Sequence, residues 1–162
     1  MRHTRLVVLF AIVIAVALAS HRGSAAQMPA QKAGKLIVYG DMTYFWGPGK
    51  RQNCNLNNRY GRGEPVGWRI SAIDPETGEY TDPATTDVIV HLTYAGSTQD
   101  IKMRWRATAQ QPERTFWVAK WVVPNDAPLG IVRFTVSAKD KNGRMGEFKP
   151  YEVAASQLTI VE

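Results

Sequence analysis

Pro65-Val66-Gly67-Trp68-Arg69-Ile70-Ser71-Ala72-Ile73 sets apolar side chains at 66, 68, 70 and 72, with Arg69 and Ser71 between them. A repeat of two puts every second side chain on one face of an extended chain, so this stretch reads as a half-buried β-strand. It stops at Asp74-Pro75-Glu76-Thr77-Gly78, where proline presets the backbone of a turn and glycine accepts positive φ. Carboxylates such as Glu64, Asp74, Glu76, Glu79 and Asp82 sit in turn segments, where they are expected to serve local hydrogen bonding.

The same rhythm continues on both sides. Asp87 to Tyr94 groups Val88, Val90, Leu92 and Tyr94; Ala95-Gly96-Ser97 turns the chain into Asp100 to Arg106, where Ile101, Met103 and Trp105 oppose Lys102, Arg104 and Arg106. The pair predicts a hairpin, with the three cations in a row that discourages edge-to-edge pairing or meets an acidic partner. Thr115 to Val123 has Lys120 as its only charge, which predicts a central strand covered on both faces. Ile131 to Ala138 alternates again before the Lys141-Asn142-Gly143 turn, Ser156 to Val161 is a β-rich terminal run, and Lys35 to Tyr39 is the first strand. No window carries helical spacing of apolar residues over the lengths that matter. About seven short strands separated by turns predict an all-β sandwich or barrel with Trp68, Trp105 and Phe134 in its core.

The N-terminus reads differently. Arg2 and Arg5 precede an uncharged apolar run, Leu6 to Ala19, and then small and polar residues up to Ala26, with Ser24 and Ala26 suited to cleavage before Gln27. This is a signal peptide over 1–26, and the run of 14 apolar residues is shorter than a membrane-spanning helix needs. The expected product is periplasmic or secreted, without a membrane anchor, with a flexible lead-in over 27–34 and one domain over 35–162. After cleavage 17 Lys and Arg remain against 14 Asp and Glu, a net charge of +3. So mild an excess does not point to nucleic acid. Cys54 is the single cysteine, so no intrachain disulfide forms, and it is expected to be buried or to make occasional intermolecular bridges.

Phe116-Trp117-Val118-Ala119-Lys120-Trp121-Val122-Val123-Pro124, Asp126-Ala127-Pro128-Leu129-Gly130, and Phe134-Thr135-Val136-Ser137-Ala138-Lys139-Asp140 with Asn142-Gly143-Arg144 resemble bacterial immunoglobulin-like extracellular domains. Arg62 to Val66 and Asp74 to Gly78 echo the ends of the second strand of that class. The resemblance implies an immunoglobulin-like β-sandwich, preceded here by the signal peptide. It carries no catalytic or ligand-binding residue, and the antibody-type cysteine pair is absent.

Asp41 to Glu64 has no period and reads as one long loop, a length that is uncommon unless functional or pinned by its own side chains. Tyr44, Phe45, Trp46, Asn55, Asn57 and Tyr60 are its candidate binding residues, because rings stack on a sugar or peptide while amides donate and accept. The competing reading has Phe45 and Trp46 folding down to cap one end of the sandwich. A blue-copper centre is excluded because only His91 survives signal removal, which leaves at most a weak site of Cys54, His91 and Met42. That single histidine, with no nucleophile elbow, also argues against a Ser-His-Asp set. No cofactor is expected. The function expected is a non-enzymatic binding or interaction module, an accessory subunit docking on another exported protein; the alternative is a carrier of a carbohydrate or metal ion using the 41–64 loop.

Overall fold

The alternation that opens the reading is a strand in three dimensions: Val66, Trp68, Ile70 and Ala72 are buried while Arg69 and Ser71 stay half-exposed. A computed structural model describes residues 34–50, 53–107 and 109–162. The expected signal peptide over 1–26 and residues 27–33 of the expected lead-in lie outside them. The elements are β1 Ile37–Tyr44, β2 Arg59–Tyr60, β3 Pro65–Ile73, β4 Thr86–Tyr94, β5 Ser97–Lys102, β6 Arg104–Trp105, β7 Trp117–Val122, β8 Gly130–Asp140, β9 Met145–Phe148 and β10 Leu158–Ile160, with a 3-10 turn at Ala154–Ser156. Among the described residues there is no α-helix.

These strands make two sheets. The first runs β1-β3-β7-β6 and the second β2-β10-β8-β4-β5, with β9 beside β8. All pairings are antiparallel except the short parallel contact of β2 with β10. The inner face of β3 and β7 presents Trp68, Ile70, Trp117, Ala119 and Trp121 to Val88, Val90 and Leu92 of β4 and Val132, Phe134 and Val136 of β8. Trp68 meets Phe134 edge-on at 5.6 Å between ring centroids, and Trp121 meets Tyr94 at 5.5 Å. Each fully buried aliphatic or aromatic side chain contributes about 1.5–3 kcal/mol, so this seam is the chief favourable term. Among the described residues the buried indole N–H groups of Trp68 and Trp117 have no partner. Their ring area outweighs a cost of about 1–3 kcal/mol for each.

Five expectations need correction. The first strand runs to Tyr44 rather than Tyr39, because Gly40 and Asp41, which look like a stop, pair with Ile70 and Arg69. Gly40 is glycine for room: a Cβ there would lie 2.1 Å from the Arg69 carbonyl oxygen. Residues 100–106 are not one strand. Buried Met103 donates its N–H to the Val88 carbonyl at 2.9 Å, and beyond it Arg104 and Trp105 cross to pair with β7 in the other sheet. Lys102 and Arg104 therefore do not share a row: Lys102 pairs with Asp87 at 2.6 Å on the second sheet. Trp105 is partly buried against Trp117, 5.2 Å between centroids, rather than at the centre of the core. β7 is interior to its sheet, yet its outer face leaves Lys120 and Val122 exposed.

Asp74 does more than shape its turn. Arg144, its side chain 5% exposed, donates to both Asp74 carboxylate oxygens at 2.9 and 2.7 Å and to Asp140 Oδ2 at 2.7 Å. Asp140 also accepts the N–H groups of Asn142 and Arg144, which fixes the β8–β9 turn. One guanidinium thus ties the end of β3 in the first sheet to the end of β8 in the second. Burial pushes the Asp140 carboxyl up, but Arg144 and the two backbone donors outweigh it and hold it below the usual carboxylate range. Its contribution is therefore complete above the unfolded carboxylate value of about 4 and is lost as pH falls through the depressed folded value. Arg144→Met strands buried Asp140 without its partner and should lower the unfolding free energy by about 3–5 kcal/mol. In urea titrations across pH, the gap between the two proteins should narrow as pH falls through the carboxylate range, because the wild type loses this contribution there and the variant has none to lose. Equal stability of the two proteins would show that the tie carries no weight.

Candidate functional site

The outer face of the first sheet is where the strands put their polar side chains. Strand register lines Asp41, Arg69, Val118 and Arg104 in one row, and Thr43, Gly67 and Lys120 in the next. Arg69 donates to Asp41 through Nε at 2.8 Å and Nη2 at 2.7 Å, a two-pronged bond that raises its already high pKa. Two connecting arms rise beside these rows. Residues 45–50 and 53–54 rise from a neck where Tyr44 donates its N–H to the Asn55 carbonyl at 2.9 Å and accepts from the Cys54 N–H at 2.8 Å. In the same arm, the Asn53 side chain accepts the Gly47 N–H at 3.0 Å. The second arm, 106–116, is anchored by the Arg106 N–H donated to the Phe116 carbonyl at 3.0 Å.

Between the arms lies a cleft of about 820 Å³. Phe45, Trp46 and Phe116 supply its rings, Asn53 and Gln111 its amides, and Arg69, Arg104, Arg106, Arg114 and Lys120 its charges. Among the described residues no Asp or Glu lines it. Among the described residues, Arg104, Arg106, Arg114 and Lys120 have no ion-pair partner, so four cations face solvent and the cavity together. Gly67 sets the floor: a Cβ there would stand 2.7 Å from Phe45 Cβ and 3.2 Å from Thr43 Oγ1, so Phe45 lies directly on the strand backbone.

The structure divides the residues singled out from sequence. Phe45 and Trp46 line the cleft on the outer face, not an end of the sandwich. Tyr44 turns inward instead, edge-on to buried Tyr60 at 5.2 Å, with its hydroxyl donating to Glu64 at 3.2 Å. Burial, and then the Glu64 carboxylate, raise the Tyr44 phenol; burial also raises Tyr60. Tyr60 donates to the Asn57 carbonyl at 2.9 Å, Asn57 donates its side-chain amide to the Arg59 carbonyl, and Asn55 acts through its carbonyl at the loop neck. These four hold the loop rather than line the cleft. Sequence reading did not connect the cations with the aromatic loop, since residues 104–120 lie far from 45–54 along the chain and only the β3–β7–β6 pairing joins them.

Cys54 is free and exposed, with φ at 65°, and lines the cleft. Met42 packs toward the core and His91 lies on the second sheet, so the three residues of the weak metal site do not meet. Among the described residues no three His, Cys, Asp or Glu side chains gather to hold a metal ion. A Ser-His-Asp chain does exist, which corrects the argument from histidine count. His91 Nδ1 lies 2.7 Å from Asp100 Oδ1 and Nε2 lies 2.7 Å from Ser137 Oγ, all on the outer face of β4, β5 and β8. Ser137 sits in a strand paired on both sides, to Ile89 and Glu147. The surrounding backbone N–H groups are held in ladders and not aimed at a developing oxyanion. The chain matches no family model and no curated protein sequence.

Gly67→Ala should dislodge Phe45 and lower the unfolding free energy by about 1–3 kcal/mol, as over-packing does. Equal urea midpoints for wild type and variant would mean that Phe45 is not seated on the strand.

Proposed function

We propose that this chain is an exported, non-enzymatic binding module with an immunoglobulin-like sandwich, delivered to the periplasm or beyond by cleavage of residues 1–26. It serves as an accessory to another exported protein and holds its ligand in the cleft between residues 45–54 and 106–116. The observation that carries this is the cleft: about 820 Å³, lined by the rings of Phe45, Trp46 and Phe116 and by five cations, with no acidic residue among the described residues of its lining. Ligand sites of small molecules fall in the range of about 300–1,000 Å³ and are concave, whereas surfaces for docking a whole protein are broad. Concavity therefore favours a ligand held within the module.

Strand order supports the immunoglobulin-like part of the reading. The sheets β1-β3-β7-β6 and β5-β4-β8-β9 have the ABED and C′CFG arrangement of that class, with a chain that changes sheets at Met103. The apolar run Leu6 to Ala19, behind Arg2 and Arg5, supports export. Leaving catalysis out is supported by the setting of Ser137, whose neighbouring backbone donors are committed to the ladders of β4 and β9.

A photoreactive benzophenone side chain in place of Trp46, irradiated in the native cell envelope, should form an adduct. The same group in place of Ile131, exposed on the second sheet, should form none. Labelling from 131 alone, or from neither position, would remove the cleft as the binding site.

A further inference from the structure

We infer that the ligand of this cleft is an acidic saccharide, a short run of sugar rings bearing carboxylate or sulfate groups. The inference rests on the cleft being the binding site and assigns its ligand by matching each lining group to the chemistry it can satisfy.

Charge comes first. Arg69 already pairs with Asp41 through Nε and Nη2, which neutralises its charge, so the recognition of an anion is assigned to the other cations. Arg104, Arg106 and Arg114 remain, with Lys120, and none has an ion-pair partner among the described residues. Three of these four are arginines, whose planar fork of N–H donors meets a carboxylate or sulfate with two parallel bonds. Arg104 and Arg106 are two positions apart on an extended segment, so their backbones lie about 7 Å apart. Spaced cations of this kind reward a ligand with several anionic groups more than a single small anion.

The uncharged groups narrow the class further. Trp46, Phe45 and Phe116 offer aromatic faces, which carry partial negative charge and attract the weakly positive C–H hydrogens on the flat side of a sugar ring. Asn53 has its side-chain oxygen occupied by the Gly47 N–H, leaving its amide N–H groups to donate, and Gln111 brings a second amide with both a donor and an acceptor. Ring faces, amides and forked cations in one cavity match ring hydroxyls, ring C–H surfaces and acidic substituents together. An acidic peptide would use the cations but has no repeating flat face for Trp46.

Isothermal titration calorimetry on the purified protein tests this with five probes: tetragalacturonate, a sulfated tetrasaccharide, neutral maltotetraose, a penta-glutamate peptide and inorganic phosphate. At least one of the two acidic tetrasaccharides should bind about tenfold or more tightly than the other three, and which of them wins identifies the acidic group. Raising salt from 50 to 200 mM should weaken that binding, since it is charge-driven. Replacing Arg104 and Arg106 together by Ser, both exposed, should weaken it by about tenfold or more with the thermal midpoint unchanged. Trp46→Ala should weaken it while leaving the salt dependence intact. Equal binding of maltotetraose would overturn the acidic part of the inference, and equal or tighter binding of penta-glutamate would overturn the saccharide part. Binding by neither acidic saccharide would overturn the whole. In each of these cases an adduct from position 46 in the envelope would still keep the cleft as the site, whereas its absence would remove both.

Discussion

A strand can send a side chain only to one face or the other, and in this protein that choice separates the core from the cleft. Trp68 points in and Arg69 out; Trp117 points in and Val118 out; Trp105 turns in beside Trp117 while Arg104 stays on the outer face. At the end of β1 the same choice divides Tyr44, which packs on Tyr60, from Phe45, which lies over Gly67. The strands that seal the interior are therefore the ones that lay the cationic floor. A slip of one residue in β3 would bury Arg69 and expose Trp68, so core and site stand or fall with a single register.

Other contacts hold that register against the two sheets sliding. Trp68 against Phe134 and Trp121 against Tyr94 lock the layers through the middle, and Arg144 locks them at one end through Asp74 and Asp140. Ring contacts tolerate small shifts, but the paired forks of a buried guanidinium do not. The cleft gains from this rigidity. Its arms are short of regular structure, yet the neck at Tyr44 and Asn55 and the bond from Arg106 to Phe116 fix their bases to the sheet. Cations held in place this way lose little freedom when a ligand arrives.

Much of this was legible in the chain. Residues 65–73 and 131–138 each declare a strand because their apolar side chains recur at every second position between clear turn residues, and Trp68 and Phe134 are buried in the core as expected, where they meet edge-on. The extension of β1 was hidden because Gly40 looks like a stop, while its purpose is close approach to Arg69. The break at Met103 was hidden for another reason: Ile101, Met103 and Trp105 all face the interior, so their alternation continues unbroken while the chain changes sheets. Within 41–64 the sequence singled out the rings but could not sort them by face, and it left Arg104, Arg106 and Lys120 unconnected to them. That connection is a product of strand pairing, which no local pattern encodes. Likewise, one histidine suffices for a Ser-His-Asp chain once β4, β5 and β8 lie side by side.

The five tryptophans report on the account at once, because each indole N–H gives its own signal in a proton–nitrogen NMR spectrum. Trp68, Trp117 and Trp121 are buried between the sheets, Trp105 packs at their edge, and Trp46 lines the cleft. Titration with tetragalacturonate or the sulfated tetrasaccharide should move the Trp46 signal and leave those of Trp68, Trp117 and Trp121 in place. Movement confined to the core or edge indoles, or none at all with either saccharide, would contradict it.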